Sequence, residues 1–148
     1  MPVKTQGDLQ AGEKAPEFPG SKELKGKTVV LYFYPKDNTP GCTTEACDFR
    51  DNAARFAKKG AVILGVSPDS EKSHAGFSSK FGLPFTLLAD EDKAVCKAYG
   101  VWKEKSMYGR KYMGVERSTF VIGPDGRIKE IFRKVSVSGH VQAALEAV

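Results

Sequence analysis

The sequence predicts a single α/β domain of three layers, a central mixed β-sheet flanked by helices. Three observations carry that prediction. Residues 28–34, Thr-Val-Val-Leu-Tyr-Phe-Tyr, form a near-continuous apolar run rich in β-branched and aromatic side chains, the pattern of a strand buried on both faces. Behind it, strand-like and helix-like segments alternate, the order that builds βαβ units. Near the end, residues 118–122 and 127–132 flank Gly123-Pro-Asp-Gly126, a hairpin with its turn written into the chain.

The elements follow in order. The chain has 148 residues, the length of one ordinary domain with a proper core, so residues 1–148 are taken as one unit. Residues 1–27 contain Pro16, Pro19 and four glycines and read as mostly loop. The first strand ends at Pro35. Pro40-Gly41 signals a turn, after which Ala46, Phe49, Ala53, Phe56 and Ala57 recur with helical spacing up to Gly60, placed as a C-terminal cap. Residues 61–66 read as a second buried strand, 71–81 as a helix stopped at Gly82, and 85–88 as a short strand. Asp90 is expected to cap a helix running to about Tyr99 and stopped by Gly100. Ser138 is expected to cap a last helix with Val141, Leu145 and Val148 on one face. The loop 35–42 then lies at the carboxyl end of a central strand, where open α/β sheets place their chemistry.

Composition narrows the function classes. Hydrophobic residues make up 41% and charged residues 28%, a soluble globular balance. No apolar run reaches the ~18–20 residues of a membrane span. Met1 to Gly12 is polar, without the apolar centre of a secretory signal, so a cytoplasmic location is expected. The net charge of +5 and pI near 9.1 come from scattered lysines. That pattern fits solubility and steering of small anions, and not a nucleic-acid surface. The three cysteines, Cys42, Cys47 and Cys96, are too few for a disulfide-stapled scaffold. Two of them close together in a cytoplasmic protein point to redox chemistry or to metal.

Cys42 falls at the start of the predicted helix, where unpaired N–H groups and the helix dipole favour an anion. The thiolate is the reactive form of cysteine. Thr39, three residues earlier, offers a hydroxyl that can donate and accept. Pro35 and Pro40 stiffen the loop that holds the two in fixed relation. Cys47, five residues on, gives an oxidised sulfur a second thiol to meet. The plain alternative is that Cys42 is a small buried residue, and that is the preferred reading for Cys96, which sits among apolar helix residues. Zinc fits poorly: a Cys-x4-Cys spacing is not that of common zinc sites, and His74 and His140 read as solvated surface histidines. The Cys-x-x-Cys of disulfide oxidoreductases is absent.

Pro35-x-x-x-Thr39-x-x-Cys42 resembles the active-site signature of the peroxiredoxins. The longer string from Leu31 to Cys47 is similar to their Q subgroup, the bacterioferritin comigratory proteins. The likeness continues in order through Gly65-Val-Ser-Pro-Asp-Ser, Ser73-His, Leu83 to Asp90, Tyr99-Gly-Val-Trp102 and Glu116-Arg-Ser-Thr-Phe120. The resemblance implies a thioredoxin-like fold and reduction of hydrogen peroxide and organic hydroperoxides. It implies Cys42 as the peroxidatic cysteine, Thr39 in contact with the peroxide, Pro35 shielding the pocket and Arg117 beside the thiolate. Glu45 matches an acid that supports the site from the same helix. Cys47 fills the position of a resolving cysteine, which would form an intramolecular disulfide with Cys42. Thioredoxin is the implied reductant and a monomer the implied state, with no metal, flavin or nucleotide cofactor. Two other readings stand beside this one: a non-catalytic redox sensor signalling through a Cys42–Cys47 disulfide, and a metal-binding domain. The segment between Phe18 and Gly26 is shorter than in the family, so a family hairpin before the first core strand is expected to be shortened or missing.

Overall fold

A computed structural model describes residues 9–148. Five strands form one sheet in the order β3-β2-β1-β6-β7. They are β1 (Thr28–Phe33), β2 (Ala61–Ser67), β3 (Thr86–Ala89), β6 (Ser118–Ile122) and β7 (Ile128–Phe132). β1 pairs in parallel with β2 and β2 with β3, while β1–β6 and β6–β7 are antiparallel. The sheet is therefore mixed, as expected. The helices are α1 (Pro40–Asp51), α2 (Ala53–Lys58), α3 (Glu71–Phe81), α4 (Ala94–Ala98) and α5 (His140–Ala147). No helix among the described residues is long and apolar enough to cross a membrane.

Every residue of β1 is buried, because both faces of the strand are covered. Its side chains alternate between two cores, as the strand's period of two requires. Val29, Leu31 and Phe33 point to one, with Phe18, Val95, Tyr99, Val115 and Phe120. Val30, Tyr32 and Tyr34 point to the other, with Phe49, Phe56, Phe77, Val141 and Leu145 from α1, α2, α3 and α5. Gly65, opposite Tyr32 in β2, has no side chain for a steric reason. A Cβ there would meet Leu87 Cδ2 at 2.7 Å and the Tyr32 ring at 3.0 Å.

Three local expectations are corrected. The helical spacing from Ala46 to Ala57 is split into α1 and α2 at Asn52, whose Nδ2 donates to the Asp48 carbonyl at 2.8 Å beside its own N–H, so that the side chain closes the last turn of α1. Ser138 does not cap the last helix: α5 begins after Gly139, which turns the chain at φ 75° and leaves no side-chain cap. α4 is shorter than the stretch Asp90–Tyr99, although Asp90 does serve its start by accepting from the Val95 and Cys96 N–H groups. The sequence reading passed over a second sheet, the hairpin β4 (Trp102–Met107) and β5 (Arg110–Val115). At the amino end, a bridge between Lys14 and Arg127 and a single 3-10 turn at Ser21–Leu24 stand before β1.

Candidate active site

Thr39 is the N-cap of α1, and Pro40 opens the helix, where its missing N–H is no loss. The first helical bond runs from Thr43 N–H to the Thr39 carbonyl at 2.8 Å, so the N–H groups of Gly41 and Cys42 stand at the positive end without helical partners. Cys42 lies in this first turn and is 2% exposed. Glu45 and Ala46 continue its buried face at the helical spacing of three and four.

Arg117 comes from the other side of the chain. It precedes Ser118, which pairs with Phe33 at the end of β1, so the antiparallel register delivers it beside the loop that leaves β1. Its backbone carbonyl accepts from Val135 N–H at 2.9 Å. The guanidinium forks between two partners. Nη2 donates to Cys42 Sγ at 3.3 Å and Nη1 to Glu45 Oε1 at 2.6 Å. Burial works against the Arg117 charge, but Glu45 and the Cys42 sulfur outweigh it and raise the guanidinium above its ordinary range. Glu45 is fully buried, and its Oε2 has no hydrogen-bond partner among the described residues. Burial therefore pushes its carboxyl up to about 7, against the pull of Arg117.

The Thr39 hydroxyl donates to the Lys36 carbonyl at 2.8 Å. Its hydrogen is committed, which leaves its oxygen free to accept. Pro35 is half-buried and follows Tyr34, whose N–H still pairs with the Val66 carbonyl at 3.0 Å. Cys47 is half-buried on the same helix as Cys42, and all three cysteines carry free thiols. Cys96 is fully buried, and burial, then Asp90, push its thiol well above the usual range. That is the inert core cysteine expected.

The expectation for the histidines is overturned. His74 and His140 are 4% and 6% exposed. His140 Nε2 pairs with Thr119 Oγ1 at 2.7 Å, and burial, helped by Arg117, brings its ring down to about 4, so it is neutral. His74 lies on α3 and anchors the active loop. Its Nδ1–H donates to Asp37 Oδ2 at 2.8 Å and its Nε2–H to the Leu88 carbonyl at 3.0 Å. A carboxylate and a carbonyl both accept, so the ring carries both protons. Tyr34 Oη donates to Asp37 Oδ1 at 2.6 Å and Ser73 Oγ to Oδ2 at 2.7 Å. Asp37 N–H donates to Asp69 Oδ2 at 2.8 Å, which also takes the Ser67 hydroxyl at 2.6 Å.

Residue spacing gives no sign of this anchor, although Ser67, Asp69, Ser73 and His74 lie in the matched strings Gly65-Val-Ser-Pro-Asp-Ser and Ser73-His. Among the described residues, Asp37, Asp69 and His74 are also the trio of ligand atoms close enough to share a cation. With the His74 Nδ1 proton directed at Asp37, that nitrogen has no lone pair to offer, and hydrogen bonds already account for the cluster.

This arrangement is a buried sulfur at a helix N-terminus, with a guanidinium on it and a rigid loop before it. It can hold an anion at sulfur and stabilise charge on an oxygen reacting there. The AhpC/TSA family profile matches residues 11–131. The Bacillus subtilis protein Peroxiredoxin Bcp is 51% identical over 147 aligned positions, covering 93% of this chain and 94% of that protein. A Xanthomonas campestris Peroxiredoxin Q structure superposes with a TM-score of 0.82 at 52% identity, covering 85% of this chain and 80% of that one. The same figures hold for that organism's bacterioferritin comigratory protein, studied for its alkyl peroxide reduction activity in trapped intermediate and ligand complexes. Mycobacterium tuberculosis BcpB superposes with a TM-score of 0.81 at 33% identity over 94% of this chain and 96% of its own.

Proposed function

The chain belongs to the AhpC/TSA family, and on that premise we propose that Cys42 is the nucleophile of a thiol-dependent peroxidase and Cys47 the thiol that resolves it. The activity is a peroxiredoxin's: a hydroperoxide is reduced with electrons from a thiol. The observation that carries the site assignment is the Arg117 fork, which sets a fixed cation 3.3 Å from the Cys42 sulfur and ties it to Glu45 on the same helix.

In the first step the Cys42 thiolate attacks one peroxide oxygen. An S–O bond forms, the O–O bond breaks, and hydroxide or alkoxide departs and takes a proton from solvent to become water or an alcohol, with a sulfenic acid on Cys42. The free lone pairs of Thr39 accept the peroxide O–H and orient it. The N–H donors of Arg117 and of the first helical turn face the charge that develops on the leaving oxygen. Glu45 holds the guanidinium plane in position, and Pro35 covers the pocket. In the second step the Cys47 thiol attacks the sulfenic sulfur, water leaves, and a Cys42–Cys47 disulfide forms. An external dithiol, thioredoxin in our reading, reduces it by thiol–disulfide exchange. No metal, flavin or nucleotide enters the scheme. We read the enzyme as a cytoplasmic monomer, where a reducing pool keeps the cycle supplied.

Peroxide consumption by the Cys42→Ser variant tests the reading. We expect it to be abolished, because a serine hydroxyl is not ionised near neutral pH. Consumption at the wild-type rate would put the nucleophile elsewhere.

A further inference from the structure

The four exposed large hydrophobic residues among those described all lie on one hairpin: Met107, Tyr108, Tyr112 and Met113, at 56%, 99%, 43% and 49% exposure. Single exposed apolar side chains are ordinary, but a cluster of them marks a contact surface. The turn between them is strained in a telling way. β4 and β5 are joined by Tyr108 and Gly109, with φ 53° and 78°, so both central residues are left-handed, the demand of the commonest two-residue hairpin turns. Asparagine or aspartate suits the first of these positions. A tyrosine there is strained, because its Cβ crowds the following carbonyl oxygen, and at 99% exposure it buries nothing in return. Nothing among the described residues offsets that strain, and a partner surface would.

Position and charge narrow the partner. In residues 102–115, Lys111 pairs with Glu104 at 3.6 Å and Lys103 with Glu116 at 3.9 Å, which leaves Lys105 and Arg110 as the cations without an ion-pair partner among the described residues. In the hairpin register Lys105 stands opposite Tyr112 and Met107 opposite Arg110, so these four share the face turned away from the side on which Trp102 and Val115 pack into the core. Lys105 leans across Gly114, where a Cβ would meet its Cδ at 3.3 Å. Partial burial, and then the charge of Arg117, hold its ammonium below the usual lysine range, against the pull of the Cys42 sulfur. β5 ends at Val115, and Glu116 N–H closes the root on the Val101 carbonyl at 2.8 Å, one residue before Arg117. An apolar, cationic surface thus borders the reactive cysteine.

We propose that the β4–β5 hairpin docks the dithiol protein that reduces the oxidised enzyme, through a face of that protein with an apolar centre and an acidic rim. The inference rests on the peroxidase cycle above. That cycle needs a macromolecular thiol brought to within bonding distance of the disulfide. The partner's thiolate forms a mixed disulfide with one cysteine of the pair and releases the other as a thiolate. The partner's second thiol then breaks the mixed disulfide, leaving the partner oxidised and both enzyme cysteines reduced. A second copy of this chain fits less well, since a two-fold contact through this face would set Lys105 and Arg110 of one copy against the same pair of the other.

Two variants test it, Tyr108→Asn and Arg110→Glu, using thioredoxin as the reductant probe. Tyr108→Asn should raise the melting temperature by relieving the turn, yet raise the KM for thioredoxin about tenfold. The charge reversal should raise that KM at least as much and abolish its dependence on salt. In both, turnover driven by dithiothreitol and the single-turnover oxidation by peroxide should match wild type. A wild-type KM for thioredoxin in both variants overturns the docking surface. So does a wild-type dimer that Tyr108→Asn dissociates at unchanged KM, or binding to phosphatidylglycerol vesicles lost in the variants at unchanged KM. Wild-type enzyme that turns over with dithiothreitol but not with thioredoxin refutes the reductant reading itself, and the docking inference with it.

Discussion

His74 and Asp37, 37 residues apart, meet as a buried ion pair at 2.8 Å and so tie helix α3 to the loop that carries Thr39. Burial disfavours the charged ring of His74, but the Asp37 hydrogen bond and charge and the Leu88 carbonyl outweigh it and raise the ring above the usual histidine range. Burial likewise opposes the Asp37 charge, yet the bonds from His74, Tyr34 and Ser73 lower its carboxyl below the usual range. The signs follow by linkage. The His74 contribution to stability is full below the ordinary histidine value of about 6.5 and is lost as pH rises through the raised one. The Asp37 contribution is full above the ordinary value of 3.8 and is lost as pH falls through the lowered one. Chemical denaturation from pH 2 to pH 9 should show these two declines in wild type, the Asp37 one below pH 3.8 and the His74 one above pH 6.5. Both should vanish in a His74→Gln, Asp37→Asn double variant. His74→Ala alone should cost about 3 kcal/mol, because it leaves a buried carboxylate unpaired.

Glu45 carries the opposite linkage to Asp37. Its folded carboxyl sits at about 7, above its ordinary value of 4.5, so its contribution to stability is full below pH 4.5 and is lost as pH rises through 7. Glu45→Gln should therefore remove a stability loss between pH 5 and 8. It should also slow the oxidation of Cys42, because the Arg117 Nη1 bond to Oε1 loses its charge. Denaturation midpoints at pH 5 and pH 8, with stopped-flow oxidation at both, separate the two effects. A variant with an unchanged oxidation rate would show that Glu45 does not position Arg117.

Arg117→Ala removes the donor on the Cys42 sulfur. By the usual loss for one oxyanion donor, peroxide-dependent oxidation should slow on the order of 10²-fold or more. Arg117→Lys should recover only part, since a point charge cannot bridge Cys42 and Glu45 as a planar fork does. Single-turnover rates monitored by intrinsic fluorescence or mass spectrometry measure both.

Disulfide formation requires α1 to open. Cys42 and Cys47 lie on one helix. A separation of five residues there places their Cα atoms roughly 8–9 Å apart with side chains about 140° around the axis. A disulfide needs less than about 7 Å and converging Cβ vectors. Residues 42–49 should thus lose amide protection on oxidation, while strands β1 and β2 keep theirs. Equal protection of 42–49 in both redox forms, with the bond confirmed by mass spectrometry, would rule out the opening. Cys47→Ser should complete one fast turnover with thioredoxin as donor and then stall as the sulfenic acid.

Cys96 should matter to folding and not to catalysis. It is fully buried beside Asp90, and its thiol is held protonated. Cys96→Ala should cost roughly 1 kcal/mol in the small cavity it leaves, with peroxidase rates unchanged. A Cys42–Cys96 disulfide in oxidised wild-type protein would refute the pairing with Cys47.

The sequence by itself determined the elements whose rules are local. The apolar run 28–34, the glycines that end helices and the Gly-Pro-Asp-Gly turn each specify their structure through steric and hydrophobic terms that act within a few residues. The spacing of Pro35, Thr39, Cys42 and Cys47 likewise fixed which thiols share a helix, and the strings around them carried the family likeness. Tertiary structure decided what depends on distant segments meeting. The antiparallel register of β1 and β6 brings Arg117 to Cys42. Packing of α3 over the loop turns His74, polar by its neighbours, into a buried cation on Asp37. The Arg117 fork gives Glu45 its partner and burial its raised value. The β4–β5 hairpin escaped a reading by periodicity because its residues, mostly exposed on both faces towards the tip, show no alternation of apolar and polar side chains for burial to impose.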